Sequence, residues 1–193
     1  MGSTRPVVAT SNGTEAEGRA RVDIDPSVPL IRDEQTVTPA GERLSRFIDG
    51  VQVRSSVTHS DERGTITEIF NPTWGFTDQP VVYVYESTIY PGQKKGWIVH
   101  LEQDDRLFFS NGTTKVVLYD ARQSSPTHGL VQELFLGEVN RALVLIPAGV
   151  FHGVVNIGPV PARFVNMPTR RYRHERPDKY RLPHDTAHIP YAL

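Results

Sequence analysis

One stretch decides the fold, Pro147-Ala148-Gly149-Val150-Phe151-His152-Gly153-Val154-Val155-Asn156. Its opening Pro-Ala-Gly is typical of a turn, and the β-branched residues that follow favour a strand. His152 stands where the turn passes into that strand. The stretch therefore predicts a turn that delivers one imidazole into a small β-structure.

From Gly50 onward, short β-branched and aromatic runs alternate with Gly, Pro, Asn and Asp, which is typical of an antiparallel sandwich or barrel. Asn111-Gly112 favours a tight hairpin turn between two such runs, because both central turn positions need positive φ. The predicted strands are Thr65–Phe70, Val81–Thr88, Gly96–Leu101, Leu107–Ser110, Lys115–Tyr119, Val131–Leu136, Ala142–Ile146, Val154–Ile157 and Ala162–Met167.

A second stretch, Gly92–Gly112, carries a further imidazole. Alternate strand residues share a face, so Ile98 and His100 are predicted to point inward together, with Trp97 and Val99 opposite. The two stretches resemble the two cupin motifs, with Ile98 in the place of the first His of His-x-His. The resemblance implies an all-β cupin fold, a double-stranded β-helix or jelly-roll barrel, with short peripheral helices.

The chain is predicted to have three parts. Residues 1–49 form a partly irregular N-terminal arm, because residues 1 to about 38 are rich in Ser, Thr, Gly, Pro and charge and lack hydrophobic periodicity. A short helix is predicted near 39–48, with Thr38 as its N-cap. Residues 50–171 form the cupin barrel, and residues 172–193 form an irregular tail that packs on it.

Composition excludes several classes of function. The chain has 193 residues, with Lys+Arg 21 against Asp+Glu 22, so its net charge of -1 gives no overall field for nucleic acid or an anionic membrane. It contains no cysteine, which removes disulfides, thiolate metal ligands and thiol nucleophiles. We find no apolar run that predicts a signal peptide or a membrane span, and expect a cytoplasmic protein.

His100, Asp105 and His152 are the candidate metal ligands. Two His and one carboxylate suit a non-haem metal. However, an interior His is more often hydrogen-bonded in the core, and Ile98 removes one ligand of the usual cupin set. The sequence therefore predicts no cofactor, with a divalent metal as the alternative.

Residues 50–193 are similar to the sugar-nucleotide cupins typified by dTDP-4-dehydrorhamnose 3,5-epimerase. The similarity implies a dTDP-sugar ligand and a homodimer that exchanges N-terminal strands, for which the apolar run Val81–Tyr85 is the candidate edge. It rests on motifs in preserved order: Asp61-Glu62-Arg63-Gly64 followed by Glu68, Lys95-Gly96-Trp97, Leu118-Tyr119-Asp120-Ala121-Arg122, Ser125-Pro126-Thr127 and the turn before His152.

The resemblance also implies binding roles. Arg63 and Glu68 match residues that hold the nucleotide, although Asp61, Arg63 and Glu68 also suit an ordinary surface ion pair. Lys95 stands where the family has an Arg that faces the sugar diphosphate. The other substrate-binding candidates, carried by motif or by position in the barrel, are Ile98, Arg122 and Asn166.

The family's proton-transfer residues are not all present. Ile98 replaces the base, Asn166 stands near the position of the acid, a Tyr, and Asp185 keeps the place of the Asp that pairs with the base. The remaining catalytic candidates are His100 or His152 as base and Arg106 or Lys95 as the cation that stabilises an enolate.

Three functions stay open from these residues. The first is an isomerase or epimerase that acts on a keto-sugar nucleotide or related carbonyl compound, in deoxysugar or secondary-metabolite biosynthesis. The second is a cyclase or other enzyme that uses the barrel on a non-sugar metabolite. The third is a binding cupin without turnover. An enzyme of the first kind is the main hypothesis, because positive charge is kept at Lys95 and Arg106.

Overall fold

The computed structural model describes residue 23 and residues 25–33, 35–41 and 47–193. By its contacts the chain divides into two units, residues 1–44 and 45–193. In the first unit the described residues form turns, with the Asp25 carboxylate accepting from the backbone and hydroxyl of Ser27 at 2.9 and 2.7 Å. The helix predicted near 39–48 has its middle, residues 42–46, outside the described residues.

The described residues of the second unit form twelve strands. Its one short 3-10 helix among the described residues, Pro72–Trp74, begins after the N-cap Asn71. No helix in the described part of the chain is long and apolar enough to cross a membrane. The strands are β1 (Gln52–Ser55), β2 (Thr58–Asp61), β3 (Gly64–Thr67), β4 (Tyr85–Ile89), β5 (Lys94–Val99), β6 (Asp105–Asn111), β7 (Thr113–Asp120), β8 (Val131–Gly137), β9 (Ala142–Ile146), β10 (Val150–Asn156), β11 (Ala162–Asn166) and β12 (Tyr180–Arg181).

Hydrogen bonds arrange the strands into two five-stranded antiparallel sheets and one hairpin. The first sheet has the order β1-β9-β6-β11-β4, and the second has the order β12-β5-β10-β7-β8. Strands β2 and β3 pair with each other. The all-β jelly-roll prediction is confirmed, with two facing sheets around one core.

Side-chain alternation explains how both faces of each sheet are used. In β6, Leu107 and Phe109 enter the core between the sheets, whereas Phe108 packs with Leu143 and Leu145 on the outer face of the first sheet. These residues are all 8% exposed or less. The continuous apolar runs of β6 and β9 therefore reflect strands that are covered on both sides.

The C-terminal segment covers the outer face of the second sheet. Trp97, which is fully buried, packs with Ile189 and with the partly buried Tyr191 and Leu193. Within this segment, β12 adds to the edge of the sheet beside β5. Trp97 thus points away from the core, as its place between Gly96 and Ile98 predicts, and the end of the chain shields it from water.

The hairpin predicted at Asn111-Gly112 is wrong. Strand β6 belongs to the first sheet and β7 to the second, so the turn carries the chain across the sandwich. Gly112 has a φ of 71°, and a Cβ there would lie 2.7 Å from the Cα of Ala162. A turn that requires glycine was correctly predicted, but its strands do not pair.

Candidate active site

A cavity of about 400 Å³ lies between the two sheets, at the open edge formed by β4 and β12. We call it the inner cavity. It brings together residues from β4, β5, β6, β10, β11 and the segment around β12. Its lining consists of Tyr85, Glu86, Ser87, Lys95, Ile98, His100, Asp105, Leu107, His152, Val154, Phe164, Asn166, Lys179 and Arg181.

Strand register shows how two rows of side chains come to face each other. In the second sheet, Ile98 pairs with His152 on one side and with Arg181 on the other. In the first sheet, Asn166 pairs with Tyr85 on one side and with Leu107 on the other. Directly paired residues share a face of a sheet, so each row presents its side chains to the cavity together.

The turn Pro147-Ala148-Gly149 places His152 as its sequence predicts. Gly149 has a φ of 81°, and its N–H donates to the carbonyl of His100 at 2.8 Å. The N–H of Ala148 donates to the Asp104 carboxylate at 2.9 Å. The turn is therefore tied to the loop that follows β5, and the two imidazoles are fixed relative to each other.

Asp178 organises the other side of that loop. Its carboxylate accepts from the N–H groups of Leu101, Glu102 and Gln103 at 2.9, 2.8 and 3.0 Å. Its carbonyl accepts from Nδ1 of His100. Since a carbonyl oxygen only accepts, this contact places a proton on Nδ1 and turns Nε2 toward the cavity.

His100, Asp105 and His152 form a compact buried cluster, which we call the His–Asp–His cluster. Oδ2 of Asp105 lies 3.2 Å from Nε2 of His100 and 3.5 Å from Nε2 of His152. Oδ1 of Asp105 accepts from the Gln103 amide at 3.0 Å. All three cluster residues are 7% exposed or less.

The contacts of the His–Asp–His cluster indicate that at least one of its imidazoles is protonated. Both ring nitrogens of His100 face oxygen acceptors, and Nδ1 of His152 lies 3.3 Å from the carbonyl of Val150. Burial opposes the charged forms, but the hydrogen bonds and charge of Asp105 raise the pKa of His100 above 6.5. Burial likewise opposes ionisation of Asp105, whose pKa is nevertheless lowered by its bonds to both imidazoles.

The same three residues fit a divalent cation. One ligand atom from each lies within 4.8 Å of the others. In both imidazoles Nδ1 is occupied by a backbone carbonyl, which is the arrangement that orients Nε2 of metal-binding histidines. His100, Asp105 and His152 are therefore the residues that would hold a metal, and the cavity side would stay open to ligand.

Three cations line the side of the inner cavity next to β12. They are Lys95, Lys179 and Arg181, and within the described residues none lies within salt-bridge distance of a carboxylate. Lys95 donates to Oγ of Ser87 at 2.7 Å. Burial first, and then the charges of Arg181 and Lys95, lower the pKa of Lys179, whereas the charge of Asp105 opposes the shift. Three cations held this close, none of them in a salt bridge within the described residues, favour an anionic ligand.

A second cleft, of about 330 Å³, continues outward from the inner cavity, with which it shares Tyr85, His100 and Lys179. We call it the outer cleft. Its remaining wall mixes aromatic and basic side chains from the segment after β11 and from the residues before β4: Tyr83, Gln103, Pro168, Arg170, Arg171, Tyr172, Arg173, His174 and Asp178. Planar rings beside cations suit a heteroaromatic group joined to phosphates.

Arg106, a predicted catalytic cation, is placed elsewhere. It follows Asp105 in β6 and so points to the outer face of the first sheet, where it is fully buried. Its guanidinium donates to the carbonyls of Met167, Gln79 and Pro80 at 2.6, 2.8 and 2.9 Å. Arg106 therefore holds two loops together and does not line the inner cavity.

Arg122 also has a structural position. It donates to the buried Asp120 carboxylate at 2.8 and 2.9 Å and to the carbonyl of Asp49 at 2.6 Å. Ser125 and Thr127 donate to the same carboxylate at 2.5 and 2.7 Å. These bonds lower the pKa of Asp120 although burial opposes them. The motif from Leu118 to Thr127 thus encodes a corner of the fold.

The structure does not bring Arg63, Glu68 or Asp185 to the inner cavity. Arg63 lies in the turn of the β2–β3 hairpin, where it is exposed and bonds to Asp61 at 2.5 Å. Glu68 follows β3 and is exposed, and Asp185 is exposed in a turn after β12. By contrast, Lys95, Ile98 and Asn166 line the cavity as predicted from their positions.

Sequence reasoning missed Tyr85, Asp178 and Lys179 as site residues, and it left Arg181 open between a solvated tail residue and a lid over the barrel mouth. The signal for Tyr85 was its place in an apolar run, which gave no chemical role. Lys179 and Arg181 alternate, as residues on one face of a strand do, but β12 has two residues and no hydrophobic pattern. Asp178 binds a loop that lies 75 residues earlier in the chain, and the sequence around Asp178 contains no pattern that predicts this contact.

The facing sheets, the imidazole delivered by a turn and the cavity lined by cations define a jelly-roll cupin. A sequence profile of the family described as dTDP-4-dehydrorhamnose 3,5-epimerase matches residues 46–191. The chain belongs to this family.

Named relatives lie in sugar-polymer biosynthesis. The chain is 37% identical over 139 residues to the probable low-salt glycan biosynthesis epimerase Agl13 of Haloferax volcanii, covering 72% of this chain and 89% of the relative. It is 37% identical over 145 residues to the spore coat polysaccharide biosynthesis protein SpsL of Bacillus subtilis, covering 75% and 95%. A crystal structure of a dTDP sugar isomerase from Desulfovibrio desulfuricans superposes with a TM-score of 0.70 at 27% identity, covering 75% and 91%.

Proposed function

We propose that this protein is an isomerase of a nucleotide-activated keto sugar, which inverts a carbon next to the sugar carbonyl during glycan or polysaccharide biosynthesis. Family membership and the named relatives support the class of reaction. The observation that carries the proposal is the inner cavity itself, where the His–Asp–His cluster lies beside three cations that have no carboxylate partner among the described residues.

The cations give the ligand its orientation. Lys179 lines both the inner cavity and the outer cleft, whereas Lys95 and Arg181 line the inner cavity alone. A diphosphate held by Lys179 and Arg181 would leave the sugar in the inner cavity and the nucleoside in the outer cleft, against Tyr83 or Tyr172. Arg181 supplies the planar fork that matches phosphate oxygens, and the two lysines supply point charges.

Proton removal is assigned to His152. Nδ1 of His152 faces the Val150 carbonyl at 3.3 Å and so carries the proton of the neutral ring, which leaves the lone pair on Nε2. Nε2 lies 3.5 Å from Asp105, farther than the 3.2 Å of His100, so it is the more available to a substrate. Both ring nitrogens of His100 contact oxygen acceptors, so its imidazole is protonated. Its positive charge in the cavity wall stabilises the enolate oxygen electrostatically. The step uses side chains alone. A divalent cation held by the cluster would instead engage both imidazoles and would supply Lewis-acid polarisation of the sugar carbonyl, as an alternative to these roles.

Ile98 then has a positive role. It lies between His152 and Arg181 in the row of paired strand residues, so it separates the base from the diphosphate site. An aliphatic side chain there excludes water from the carbon that loses its proton. The cationic lining disfavours the alternative of a cyclase for an apolar metabolite, because such a ligand would leave three charges desolvated.

Proton NMR in deuterated buffer tests the proposal. With dTDP-4-keto-6-deoxyglucose as the probe, the wild-type protein is expected to exchange the hydrogen at C3 or C5 for deuterium and to form the inverted sugar. His152→Ala is expected to lower exchange by about 100-fold or more, the ordinary contribution of a general base. Arg163→Ala, an exposed arginine on β11 outside the cavity lining, is the control.

Failure has a distinct signature. If the wild-type protein binds dTDP but leaves both hydrogens and the sugar unaltered, a binding cupin replaces the isomerase. If His100→Ala loses exchange while His152→Ala keeps it, the reaction stands and the assignment of the base is overturned.

A further inference from the structure

We propose that Tyr85 is the proton donor of the inner cavity and that Asn166 positions its hydroxyl. The inference rests on the proposed function and completes it, because inversion requires an acid on the face of the sugar opposite the base. The family's tyrosine is absent at Asn166, and the sequence therefore predicts an empty acid position. The structure fills that position from the neighbouring strand.

Tyr85 and Asn166 are directly paired across β4 and β11. Nδ2 of Asn166 donates to the Tyr85 hydroxyl at 2.9 Å. The phenolic oxygen thus accepts one hydrogen bond, and no acceptor for its own hydrogen lies within the described residues. Both side chains line the inner cavity, so the free O–H group is available to a ligand there.

The two proton-transferring groups lie on opposite walls. Tyr85 belongs to the first sheet, at its β4 edge, whereas His152 belongs to β10 of the second sheet. A sugar ring held between the sheets presents one face to each wall. Removal of a proton by one wall and its return by the other inverts the carbon, whereas a single wall would restore the original configuration.

The chemistry balances with groups already present. His152 takes the proton from the carbon next to the carbonyl, and the electron pair moves onto the carbonyl oxygen as an enolate. The enolate carbon then forms a C–H bond with the Tyr85 proton as the O–H bond breaks, which leaves a phenolate and an imidazolium. Both exchange protons with water between turnovers.

The surroundings of Tyr85 keep it protonated until it is needed. Burial first, and then the charge of Asp105, raise the pKa of Tyr85, against the opposing hydrogen bond from Asn166. The hydrogen bond from Asn166 stabilises the phenolate that Tyr85 becomes after it has given up its proton.

Asn166 has a second unused group. Its side chain is 1% exposed, and Oδ1 has no hydrogen-bond partner within the described chain. A buried acceptor without a partner costs free energy until a donor arrives. A hydroxyl of the sugar, adjacent to the reacting carbon, is the donor that this geometry assigns. One amide would then fix both the acid and the substrate.

Comparison of deuterium exchange with inversion tests the assignment. Tyr85→Phe keeps the ring and removes the acidic proton, so we expect exchange within a fewfold of wild type and inversion lowered by about 100- to 10,000-fold. Asn166→Ala is expected to lower the ratio of inversion to exchange in the same direction, and a ratio does not depend on the amount of folded protein. Tyr90→Phe, at an exposed tyrosine that lines neither the inner cavity nor the outer cleft, is the control.

Each result decides the assignment. Inversion at the wild-type rate in Tyr85→Phe overturns it, as does an equal loss of exchange and inversion, which would place Tyr85 in binding. Wild-type protein that gives neither exchange nor inversion overturns the proposed function together with the assignment. If the wild-type protein is active and the Tyr85→Phe variant is equally active, only the role of Tyr85 is overturned and the proposed function stands.

Discussion

At the scale of single residues, position on one face or the other of a strand decides function. Asp105 and Arg106 are neighbours in β6, and both are almost fully buried. Asp105 points between the sheets and meets two imidazoles, whereas Arg106 points outward and binds backbone carbonyls. Positive charge at a motif position is therefore insufficient evidence of a catalytic role.

The His–Asp–His cluster should make stability depend on pH. Asp105 has a lowered pKa, so its contribution is present above 3.8 and is lost as pH falls below that value. His100 has a raised pKa, so its contribution is complete below 6.5 and is lost as pH rises through the raised value. The pair is therefore expected to stabilise the fold most between these limits.

We predict that Asp105→Asn lowers the free energy of unfolding by about 3–5 kcal/mol near pH 5, because it leaves buried imidazoles without their counter-charge. Urea unfolding of protein dialysed against EDTA measures the difference, which should shrink between pH 6.5 and pH 9. Asp61→Asn, in an exposed ion pair with Arg63, should change stability little at either pH. A difference that grows with pH would contradict the assigned charges.

At the scale of elements, the sequence predicted strands best where both faces are buried. Strand β9 was predicted with its observed bounds, because all five of its residues are apolar and buried. Strand β10 begins at Val150, four residues before the prediction, because the turn residues obscured its start. Strands β1, β2 and β12 were missed, since they are short and mostly exposed and so lack a hydrophobic pattern.

Site residues could be predicted from the sequence where the strand that carries them could be predicted. Ile98 and His100 follow from alternation in β5, and His152 follows from the turn before it. Lys95 would lie on the opposite face by alternation alone, and it reaches the cavity because the register of β5 against β10 shifts between Ile98 and Lys95. Tyr85 and Asn166 become a pair only through the register of β4 against β11, which depends on packing of the whole sandwich. The contacts of the cavity that depend on the register between distant strands could therefore not be predicted from the sequence.

Strand β12 gives a test at this scale. We predict that Arg181→Ala and Lys179→Ala each weaken the binding of dTDP by about 10- to 100-fold, the ordinary value of a charge-assisted hydrogen bond. Isothermal titration at two salt concentrations measures the effect, with Arg163→Ala as the matched control. Unchanged affinity in both variants would place the diphosphate outside the inner cavity.

At the scale of the whole molecule, the β2–β3 hairpin is the feature that a single chain leaves unexplained. Its strands pair with each other, and within the described chain they join neither large sheet. Ile66 in β3 is 69% exposed and Val57 before β2 is 70% exposed. A lone two-stranded hairpin is marginal in water, so it needs a further surface to pack against. The exposed apolar run Val81–Tyr85 beside the β4 edge offers such a surface on a second copy.

We therefore predict a homodimer in which Arg63 of one copy completes the site of the other. Light scattering should give about twice the chain mass of 21.6 kDa at micromolar concentration. Arg63→Ala and His152→Ala should each be inactive alone. When the two are unfolded together and refolded, each mixed dimer should hold one site with both residues intact, which restores about a quarter of wild-type activity. No recovery from dimers shown to be mixed would place Arg63 outside the partner's site, and a monomeric mass would leave the hairpin without this role.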